Sequence, residues 1–309
     1  MAHYPVDWRL ELPPGCRGGA LAIGNFDGAH RGHAELILRL TAAARQVGGP
    51  AVAVTFDPHP RAVLRPEAPL PLLSSSDDRA EQLHRLGANH VVTLGVTTEL
   101  LDLRAAEFFD LMVLRRFQAK AMVEGTNFCF GKDREGDIAL LEKLCGPAGV
   151  RLQVVPPLAV EGIEVSSSRI RQALEAGDVG LATKLLGRPY LLRGVVGVGQ
   201  RRGRTIGFPT ANLERVATVV PGEGVYAVRA EAPNGARHAG AANVGPNPTF
   251  GEEARKIEVH LIGFEGDLYG QPLAVEFLAR LRDTRRFSGA AELVAQLKMD
   301  TVQARAIAG

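Results

Sequence analysis

The sequence is poor in cysteine, in aromatic residues and in net charge. Its three cysteines, Cys16, Cys129 and Cys145, include no C-x-x-C pair, so neither a disulfide framework nor a zinc knuckle is indicated and a reducing compartment is expected. Aromatic residues make up 6% of the 309 residues, and the formal net charge is +2. Because nucleic-acid binding needs exposed rings or a basic field, these values disfavour a nucleic-acid partner.

Long apolar runs are missing as well. No segment approaches the ~18 uninterrupted apolar residues of a membrane span, and the first residues lack a basic stretch followed by an apolar run. We therefore expect a cytoplasmic protein without a membrane partner. The content of 46% hydrophobic and 23% charged residues is typical of a globular protein with a real core, and the length suits two domains.

The first half alternates short apolar runs with longer helical stretches. This alternation predicts an α/β domain with a doubly wound, Rossmann-like parallel sheet, whose ligands sit beyond the carboxyl ends of the strands. The first helix has an apolar face at helical spacing, formed by Leu36, Ile37, Leu40, Ala44 and Val47. Strands are predicted at 20–23, 51–56, 90–94, 121–124 and 152–155.

The pattern changes at the Gly-Arg-Pro of 187–189. Short strands separated by turn residues then predict an antiparallel β-barrel or sandwich, at 190–198, 224–230, 239–244, 256–262 and 272–281. Helical spacing resumes after Ser288, the predicted N-cap of a terminal helix. We predict one domain over 1–186 and a barrel domain with a terminal helix over 187–309.

The segment 24–33, Gly-Asn-Phe-Asp-Gly-Ala-His-Arg-Gly-His, follows a strand and opens a helix. Backbone N–H groups at such a junction point at whatever lies above the sheet, which suits a phosphate. His30 and His33 can face the same ligand and stabilise charge on a phosphoryl group in transit. Taken alone, the two histidines could be surface or capping residues or half of a metal site. The glycines and the strand-to-helix context favour a phosphate cradle.

A second helix start lies at 165–171. The hydroxyls of Ser166, Ser167 and Ser168, with Arg171 pointing back, would bind a polyphosphate by charge-assisted hydrogen bonds. Three serines before a helix are, by themselves, more often a simple cap. Together with the histidine segment they resemble the H-x-G-H and I-S-S-T-x-x-R pair of the nucleotidyltransferase superfamily of adenylyl-transferring enzymes. Ser168 stands where that pattern usually has Thr, and it retains the hydroxyl.

Two further segments sharpen the resemblance, Val-Thr-Phe-Asp-Pro-His-Pro at 54–60 and Gly-Thr-Asn-Phe-Cys-Phe-Gly at 125–131. Both are similar to signatures of the bacterial bifunctional riboflavin kinase/FMN adenylyltransferase family. The resemblance implies that the FMN phosphate attacks the α-phosphorus of ATP and that pyrophosphate leaves. It implies ATP contacts at His30, His33, Gly24, Asn25, Phe26, Asp27, Gly28, Asn127, Ser166, Ser167, Ser168 and Arg171. Gly95-Val96 replace a Pro-Phe frequent in the family, which leaves the flavin contacts of this half open.

The glycine-rich segment 194–212 is the most specific feature of the chain. Its glycines let backbone approach a phosphate closely. Thr210 and Asn212, two apart on an extended segment, can turn neutral oxygen ligands to one side, which suits Mg²⁺. A loop closed by Pro209 and a solvated arginine hairpin are the alternatives. Neither P-loop nor G-x-G-x-x-G spacing fits this chain.

The Gly-Phe-Pro-Thr-Ala-Asn of 207–212 closely resembles the riboflavin kinase signature, as do 221–226 and 243–250. Attack by the ribityl 5′-hydroxyl on the γ-phosphate needs a proton acceptor. In the family this base is a Glu in a strand, and Glu258 matches its position. Without the resemblance, Glu258 beside His260 could be a solvent-exposed polar edge. The resemblance further implies magnesium at Thr210 and Asn212, flavin contact at Arg282, and ATP contacts at Gly197, Gly203, Arg204, Gly207, Phe208, Pro209, Thr210 and Asn212.

The resemblance runs from about residue 18 to about residue 304, with the motifs in the family's order. It implies an enzyme of FAD biosynthesis that phosphorylates riboflavin with ATP to FMN and then joins FMN to AMP. Its small-molecule partners are then riboflavin, FMN, FAD and ATP, with Mg²⁺ as cofactor. A single-activity adenylyltransferase and a non-catalytic flavin-binding protein are the alternatives, and a homo-oligomer stays open.

Overall fold

The computed structural model describes residues 2–198, 207–247 and 252–309. The chain divides into two compact units, one of Met1–Leu70 with Ser74–Val165 and one of Pro71–Leu73 with Ser166–Gly309. The residues from 166 to 186 therefore cluster with the second unit. The domain boundary at 186/187 stays a prediction.

The first unit contains a six-stranded sheet in which every pair of neighbouring strands is parallel. Its strands are β1 Ala2–Asp7, β2 Ala20–Ile23, β3 Ala51–Asp57, β4 His90–Gly95, β5 Ala121–Gly125 and β6 Arg151–Val155, in the order β1-β4-β3-β2-β5-β6. The parallel sheet predicted from the sequence is thereby confirmed. Strand β1 was not predicted, and it contains Pro5, which is compatible only with an edge strand such as this one.

Helices cover both faces of this sheet. They are α1 Arg31–Val47, α2 Pro60–Leu64, α3 Ser76–Arg85, α4 Thr98–Leu101, α5 Ala105–Phe108, a π-helix Phe109–Arg116, a 3₁₀ turn Lys132–Arg134 and α6 Ile138–Ala148, followed by a small hairpin of β7 Ala159–Val160 and β8 Ile163–Glu164. Alternate residues of β2 enter two separate core clusters, Leu21 and Ile23 one, Ala20 and Ala22 the other. The alanines share their cluster with the apolar face of α1, because small side chains let a helix lie close to a sheet.

The second unit contains a closed barrel of six antiparallel strands. Its elements are α7 Ser167–Glu175, α8 Val179–Leu186, β9 Tyr190–Gly197, β10 Ala211–Glu214, β11 Gly224–Glu231, β12 Arg237–Asn247, β13 Glu252–Leu261, β14 Pro272–Arg282 and α9 Ala290–Ala308. Of the two predicted alternatives, a barrel and a sandwich, the barrel is confirmed. The predicted terminal helix is confirmed as well. The four-residue strand β10 was missed, although it closes the barrel between β9 and β13.

The predicted N-cap of α9 is wrong by one residue. Gly289 occupies the cap position, while Ser288 donates its hydroxyl and its backbone N–H to the Glu292 carboxylate at 2.8 and 3.0 Å. The serine thus supports the helix start through a side chain in its first turn. Among the helices that the described ranges contain, none combines the length and the apolar character that crossing a bilayer requires.

Candidate active sites

The predicted phosphate cradle connects β2 to α1 at the carboxyl edge of the first sheet. Its backbone turns sharply, since Phe26, Gly28 and Ala29 have φ angles of 48°, 81° and 40°. Helix α1 then begins with His30 as its N-cap, whose Nδ1 accepts a hydrogen bond from the His33 N–H at 3.3 Å. A neutral His30 ring must therefore carry its proton on Nε2, which makes that nitrogen a donor.

The two histidines predicted to act together are in contact. Their rings stack with centroids 3.6 Å apart and planes 12° apart, and Phe26 packs edge-on against His33 at 5.2 Å. Gly32 permits this arrangement, because a Cβ there would lie 3.1 Å from Cε1 of His30. The N-terminus of α1 and the two imidazoles thus form one site of the kind that favours an anion.

Asp27 has a structural role behind the cradle, whereas the sequence analysis named it only as an ATP contact. Asp27, only 2% exposed, accepts a hydrogen bond from the Ser74 N–H at 3.2 Å. Ser74 Oγ in turn accepts from the Gly28 N–H at 3.0 Å. Asp27 therefore shapes the cradle from within, in addition to any contact with a nucleotide.

Arg79, from α3, is a buried group that the sequence analysis missed. Its guanidinium donates to the carbonyls of Asn25 at 3.1 Å and Phe56 at 3.0 Å, and the Thr55 hydroxyl donates to the same Asn25 carbonyl at 3.0 Å. The available signal was spacing, since Arg79 shares the buried face of α3 with Leu83 four residues later.

The sheet opens between β2 and β5, where the strand order reverses direction. Their pairing ends at Leu21 and Met122, and beyond it the Ile23 N–H donates to the Glu124 carboxyl at 2.8 Å. Burial raises the pKa of the Glu124 carboxyl well above its usual range, against the smaller opposing effect of the Ile23 bond. Such a reversal point is where open α/β sheets bind ligands, and the exposed Asn127 follows β5 at this edge.

The predicted polyphosphate residues at 166–171 lie in the second unit. Ser166 is the N-cap of α7 and accepts a hydrogen bond from the Arg169 N–H at 3.3 Å. Ser167 and Ser168 form the first turn of that helix. Arg171 is buried and donates through Nε to the Pro71 carbonyl at 2.7 Å. The contacts of these four residues with ATP stay predictions.

Four strands of the barrel bring a row of small and polar residues together. Asn212 is the register partner of Gly197 on one side and of Glu258 on the other, and Glu258 is also the partner of Asn243. These residues are half-buried, whereas their chain neighbours, such as Val259, are buried in the barrel interior. Directly opposed residues on one face have Cβ atoms ~5 Å apart, so an amide lies on each side of the candidate base. Asn243 was not among the predicted site residues.

The residues that precede Thr210 are held by β13. His260 Nδ1 donates to the Pro209 carbonyl at 2.8 Å, and its ring packs edge-on against Phe208 with centroids 5.3 Å apart. Gly207 has a φ of 84°, which favours glycine. His260 is thus more than a solvated edge residue, since it fixes the start of the Pro-Thr-Ala-Asn segment.

Two of the predicted kinase contacts, Gly203 and Arg204, lie outside the described residues. A Cβ at Gly197 would lie 2.1 Å from the Glu214 carboxyl carbon, but this carboxyl is the end of an exposed, flexible side chain that can move away, so the contact does not require glycine. Within the described ranges, no group of three or more His, Cys, Asp or Glu side chains could hold a metal ion. Thr210 and Asn212 offer neutral oxygens instead, and magnesium at this position stays a prediction.

Arg282, the predicted flavin contact, is held in a buried ion pair. Its Nε and Nη2 lie 3.0 and 2.8 Å from the Asp300 carboxylate, and the two side chains are 19% and 1% exposed. Nη1 donates to the Asp283 carbonyl at 2.9 Å, and the guanidinium lies 5.6 Å from the centre of the Phe287 ring. The pair ties β14 to α9, and a contact with flavin stays a prediction.

Comparison with known proteins divides the chain into two parts, as the sequence and the structure do. Residues 14–169 match the sequence model of the FAD synthetase family, and residues 186–308 match that of the riboflavin kinase family. The bifunctional riboflavin kinase/FMN adenylyltransferase of Pseudomonas fluorescens is 38% identical over 299 residues, with 96% of each chain covered. The protein of the same description from Bacillus subtilis is 37% identical over 290 residues, which cover 92% of this chain and 90% of that one.

A solved structure also resembles the chain over its full length. It comes from Streptococcus pneumoniae, is described as a macrolide-efflux protein, and has a TM-score of 0.88 at 35% identity, with 99% of both chains covered. That description concerns the Streptococcus protein and differs from those of the curated relatives. The two family matches and the curated relatives agree with one another.

Proposed function

The chain belongs to the bifunctional riboflavin kinase/FMN adenylyltransferase family, and on that footing we propose how its residues share the two reactions. It is a transferase that phosphorylates riboflavin with ATP to FMN and then adenylylates FMN with ATP to give FAD and pyrophosphate. One observation supports the assignment of the two reactions to different parts of the chain: the FAD synthetase match ends at 169 and the riboflavin kinase match begins at 186. We assign adenylyl transfer to the cradle of the first unit and phosphorylation to the barrel.

In adenylyl transfer the nucleophile is the FMN phosphate, which is already anionic. An oxygen of this phosphate forms a bond to the α-phosphorus of ATP while the bond from that phosphorus to the β-phosphate oxygen breaks, and pyrophosphate takes the electron pair. No proton has to be removed, so the site must bind, orient and neutralise. We assign this work to the N-terminus of α1 and to donors on His30 and His33, with Asn127 contacting the nucleotide.

The flavin ring of FMN needs an apolar surface near this site. Val96 is buried and offers none. Phe56 lies near the end of β3 beside the cradle, and Phe128 follows Asn127. Both pack against the core cluster with part of each ring exposed. Phe128 also stacks on Phe130 at 5.4 Å, which fixes its plane. We propose these two phenylalanines as the flavin contacts that the missing Pro-Phe would otherwise supply.

In the kinase reaction the nucleophile is the ribityl 5′-hydroxyl, which must lose its proton. We propose that Glu258 accepts it as the hydroxyl oxygen bonds to the γ-phosphorus and ADP leaves. The amides of Asn212 and Asn243 flank Glu258 in the ladder and can orient the carboxylate and the substrates. Gly197, Gly207, Phe208 and Pro209 line the same edge and are proposed to border ATP.

Magnesium fits the residues at the start of β10. Thr210 and Asn212 present neutral oxygens, and Mg²⁺ commonly combines few protein oxygens with phosphates and waters. We propose that these two residues hold the ion. Bound there, it would neutralise charge on the β- and γ-phosphates.

We further propose that the enzyme works in the cytoplasm with its small-molecule substrates as partners, without nucleic acid or membrane. The cysteines within the described residues are unpaired, in keeping with a reducing compartment.

The two activities are tested by incubating the purified chain with riboflavin, ATP and MgCl₂ and separating the flavins by chromatography. FAD is the expected product, and it should not form when EDTA replaces magnesium. FMN alone would contradict the adenylyltransferase assignment. Unchanged riboflavin would instead indicate a flavin-binding protein.

A further inference from the structure

Helix α3 buries a cation directly behind the cradle. Arg79 is 1% exposed and heads the largest fully buried side chains of the described residues. Its two hydrogen bonds join the carbonyl of Asn25, just after β2, to that of Phe56, near the end of β3. One side chain therefore ties together the two strand ends that border the cradle.

The charge of this guanidinium has no partner at close range. Both of its acceptors are neutral carbonyls, Nε has no hydrogen-bond partner within the described residues, and no described carboxylate lies within ion-pairing distance of it. Burial lowers the pKa of the Arg79 guanidinium, and Asp27 and Asp57 oppose this effect from longer range. An arginine remains protonated in such a setting.

The two hydrogen bonds of Arg79 stabilise the strand ends, but they give no reason for a full positive charge at this position. A buried charge without a paired carboxylate is costly. An anion held in the cradle would supply the missing counter-charge. The contrast with Arg282 is informative, because that buried arginine is neutralised by Asp300 at 2.8 Å.

Arg79 also bears on the direction of the cradle's N–H groups. A trans peptide places its C=O and N–H on opposite sides. The bond that draws the Asn25 carbonyl towards Arg79 therefore points the Phe26 N–H away from it. Phe26 has a φ of 48°, a conformation that is costly for a non-glycine residue and persists only where its surroundings hold it. The bonds of Arg79 and Thr55 to the preceding peptide provide such a hold.

We propose that Arg79 is a positioning residue for adenylyl transfer, which holds the Asn25 peptide in the cradle conformation and supplies a permanent positive charge behind it for the triphosphate and the departing pyrophosphate. This inference rests on the assignment of adenylyl transfer to the cradle. It predicts that both the charge and the hydrogen bonds of residue 79 affect this reaction and leave riboflavin phosphorylation unchanged.

The test compares Arg79→Met, which keeps the bulk, with Arg79→Lys, which keeps the charge, in the full chain. Arg85→Met is the matched control, because Arg85 lies on the same helix but is exposed and paired with Glu81. The reverse reaction, in which FAD and inorganic pyrophosphate give FMN and ATP, measures pyrophosphate binding at this site alone. Riboflavin phosphorylation is followed as the internal control.

We expect Arg79→Met to lower kcat/KM for FMN adenylylation about 100-fold, comparable to the loss of one transition-state donor, with the kinase rate within about twofold. Its KM for pyrophosphate should rise about tenfold, and Arg79→Lys should recover most of that affinity. An unchanged KM for pyrophosphate in a folded Met variant would overturn the proposal. If the Met variant does not fold, the Lys variant decides. A normal KM for pyrophosphate with a lowered kcat for adenylylation supports the proposal, because lysine keeps the charge but loses the hydrogen bonds. Unaltered adenylylation contradicts it.

Failure of this inference can be told from failure of the site assignment. If His30→Asn with His33→Asn removes FAD formation and neither Arg79 variant does, only the role of Arg79 is wrong. If the histidine variant also leaves FAD formation intact, adenylyl transfer does not take place at the cradle.

Discussion

The two candidate sites differ in how deeply their polar groups are buried. At the cradle, His30, Asp27 and Arg79 are 6%, 2% and 1% exposed, and hydrogen bonds from neighbouring segments hold the backbone. On the barrel, Asn212, Asn243 and Glu258 are half-buried in a row across neighbouring strands. The first site is a buried loop and helix start held by hydrogen bonds, and the second presents a carboxylate between two amides.

On the proposed assignment of the two reactions, the chemistry of the two nucleophiles accounts for this difference. A phosphate attacks without losing a proton, so the first site gains most from fixed donors that are in place before reaction. A hydroxyl must be deprotonated, so the second site needs an acceptor. The comparison indicates that, on the proposed assignment, each unit carries the groups its own nucleophile requires. The following changes test this from the largest expected effect to the smallest.

Glu258→Gln removes the proposed proton acceptor while keeping the shape of the side chain. We expect riboflavin phosphorylation to fall by ~10²–10⁴, the usual contribution of a general base. FMN adenylylation should stay within about twofold, because its nucleophile needs no base. Both rates are measured by chromatography, with exposed Glu231→Gln on β11 as the control. Loss of both reactions in a folded protein would show that the sites are not separate.

His30→Asn combined with His33→Asn removes the imidazoles but keeps a good N-cap residue at position 30. FMN adenylylation should fall by ~10²–10³, the usual cost of losing transition-state donors, while riboflavin phosphorylation continues. His238→Asn, a partly exposed histidine of β12, serves as the control in the same assay. A normal rate of FAD formation would mean that the stacked rings serve only to start α1.

Asp300→Asn leaves Arg282 buried without its counter-charge. Breaking such a pair costs ~3–5 kcal/mol, so the free energy of unfolding of the second unit should fall by about that amount. It is measured in urea titrations, with the loss of kinase activity as the readout of unfolding. Arg282→Lys keeps the charge but not the two-pronged contact, and should cost less. If Arg282 also contacts riboflavin, the Lys variant raises KM for riboflavin more than Asp300→Asn does.

Glu124→Gln tests whether the buried carboxyl of the first unit is neutral. Because the pKa of this carboxyl is raised in the folded state, the folded chain keeps a proton that the unfolded chain releases at the ordinary pKa of a carboxyl. The free energy of unfolding of the native chain therefore falls as the pH rises above that ordinary pKa. The amide has no proton to lose. The stability of the variant relative to the native chain should therefore increase with pH, by at most ~1.4 kcal/mol per pH unit, in thermal unfolding at pH 5 and pH 9.

The exposed Glu142→Gln on α6 is the control for this pH experiment. Parallel stability curves for the native chain and Glu124→Gln would contradict a neutral Glu124. In that case the Ile23 N–H would be bonded to a carboxylate anion at the opening between β2 and β5.

Much of the fold could be predicted because most of its helices and strands have a periodic pattern of apolar residues within their own sequence. The apolar face of α1 and the runs of β2 to β6 repeat at the spacing of their own elements, and β9 and β11 to β14 are separated by turn residues. Strand β10 was missed because only two of its four residues are apolar, whereas the equally short β2 is apolar throughout. Strand β1 was missed because Pro5 interrupts a pattern that an edge strand tolerates.

The candidate sites were predictable to the extent that their residues are near one another in the chain. His30 and His33 contact as their spacing suggests, whereas Arg79 meets Asn25 across 54 positions. Asn243 is another such case, because only the register of β12 and β13 sets it opposite Glu258. No local pattern reports such a pairing.

Residue types and short spacings in this chain were sufficient for the parallel sheet, the antiparallel strands of the second half and the glycine-containing cradle, and the resemblance of its motifs to a known family implied the pairing of two activities. Folding was needed to turn Arg79 inward, to neutralise Arg282 with Asp300 and to bury Glu124 at the opening of the sheet. The reason is physical: periodicity records which face of an element avoids water, while the charge state and partner of a buried polar group depend on segments that meet only in the folded chain.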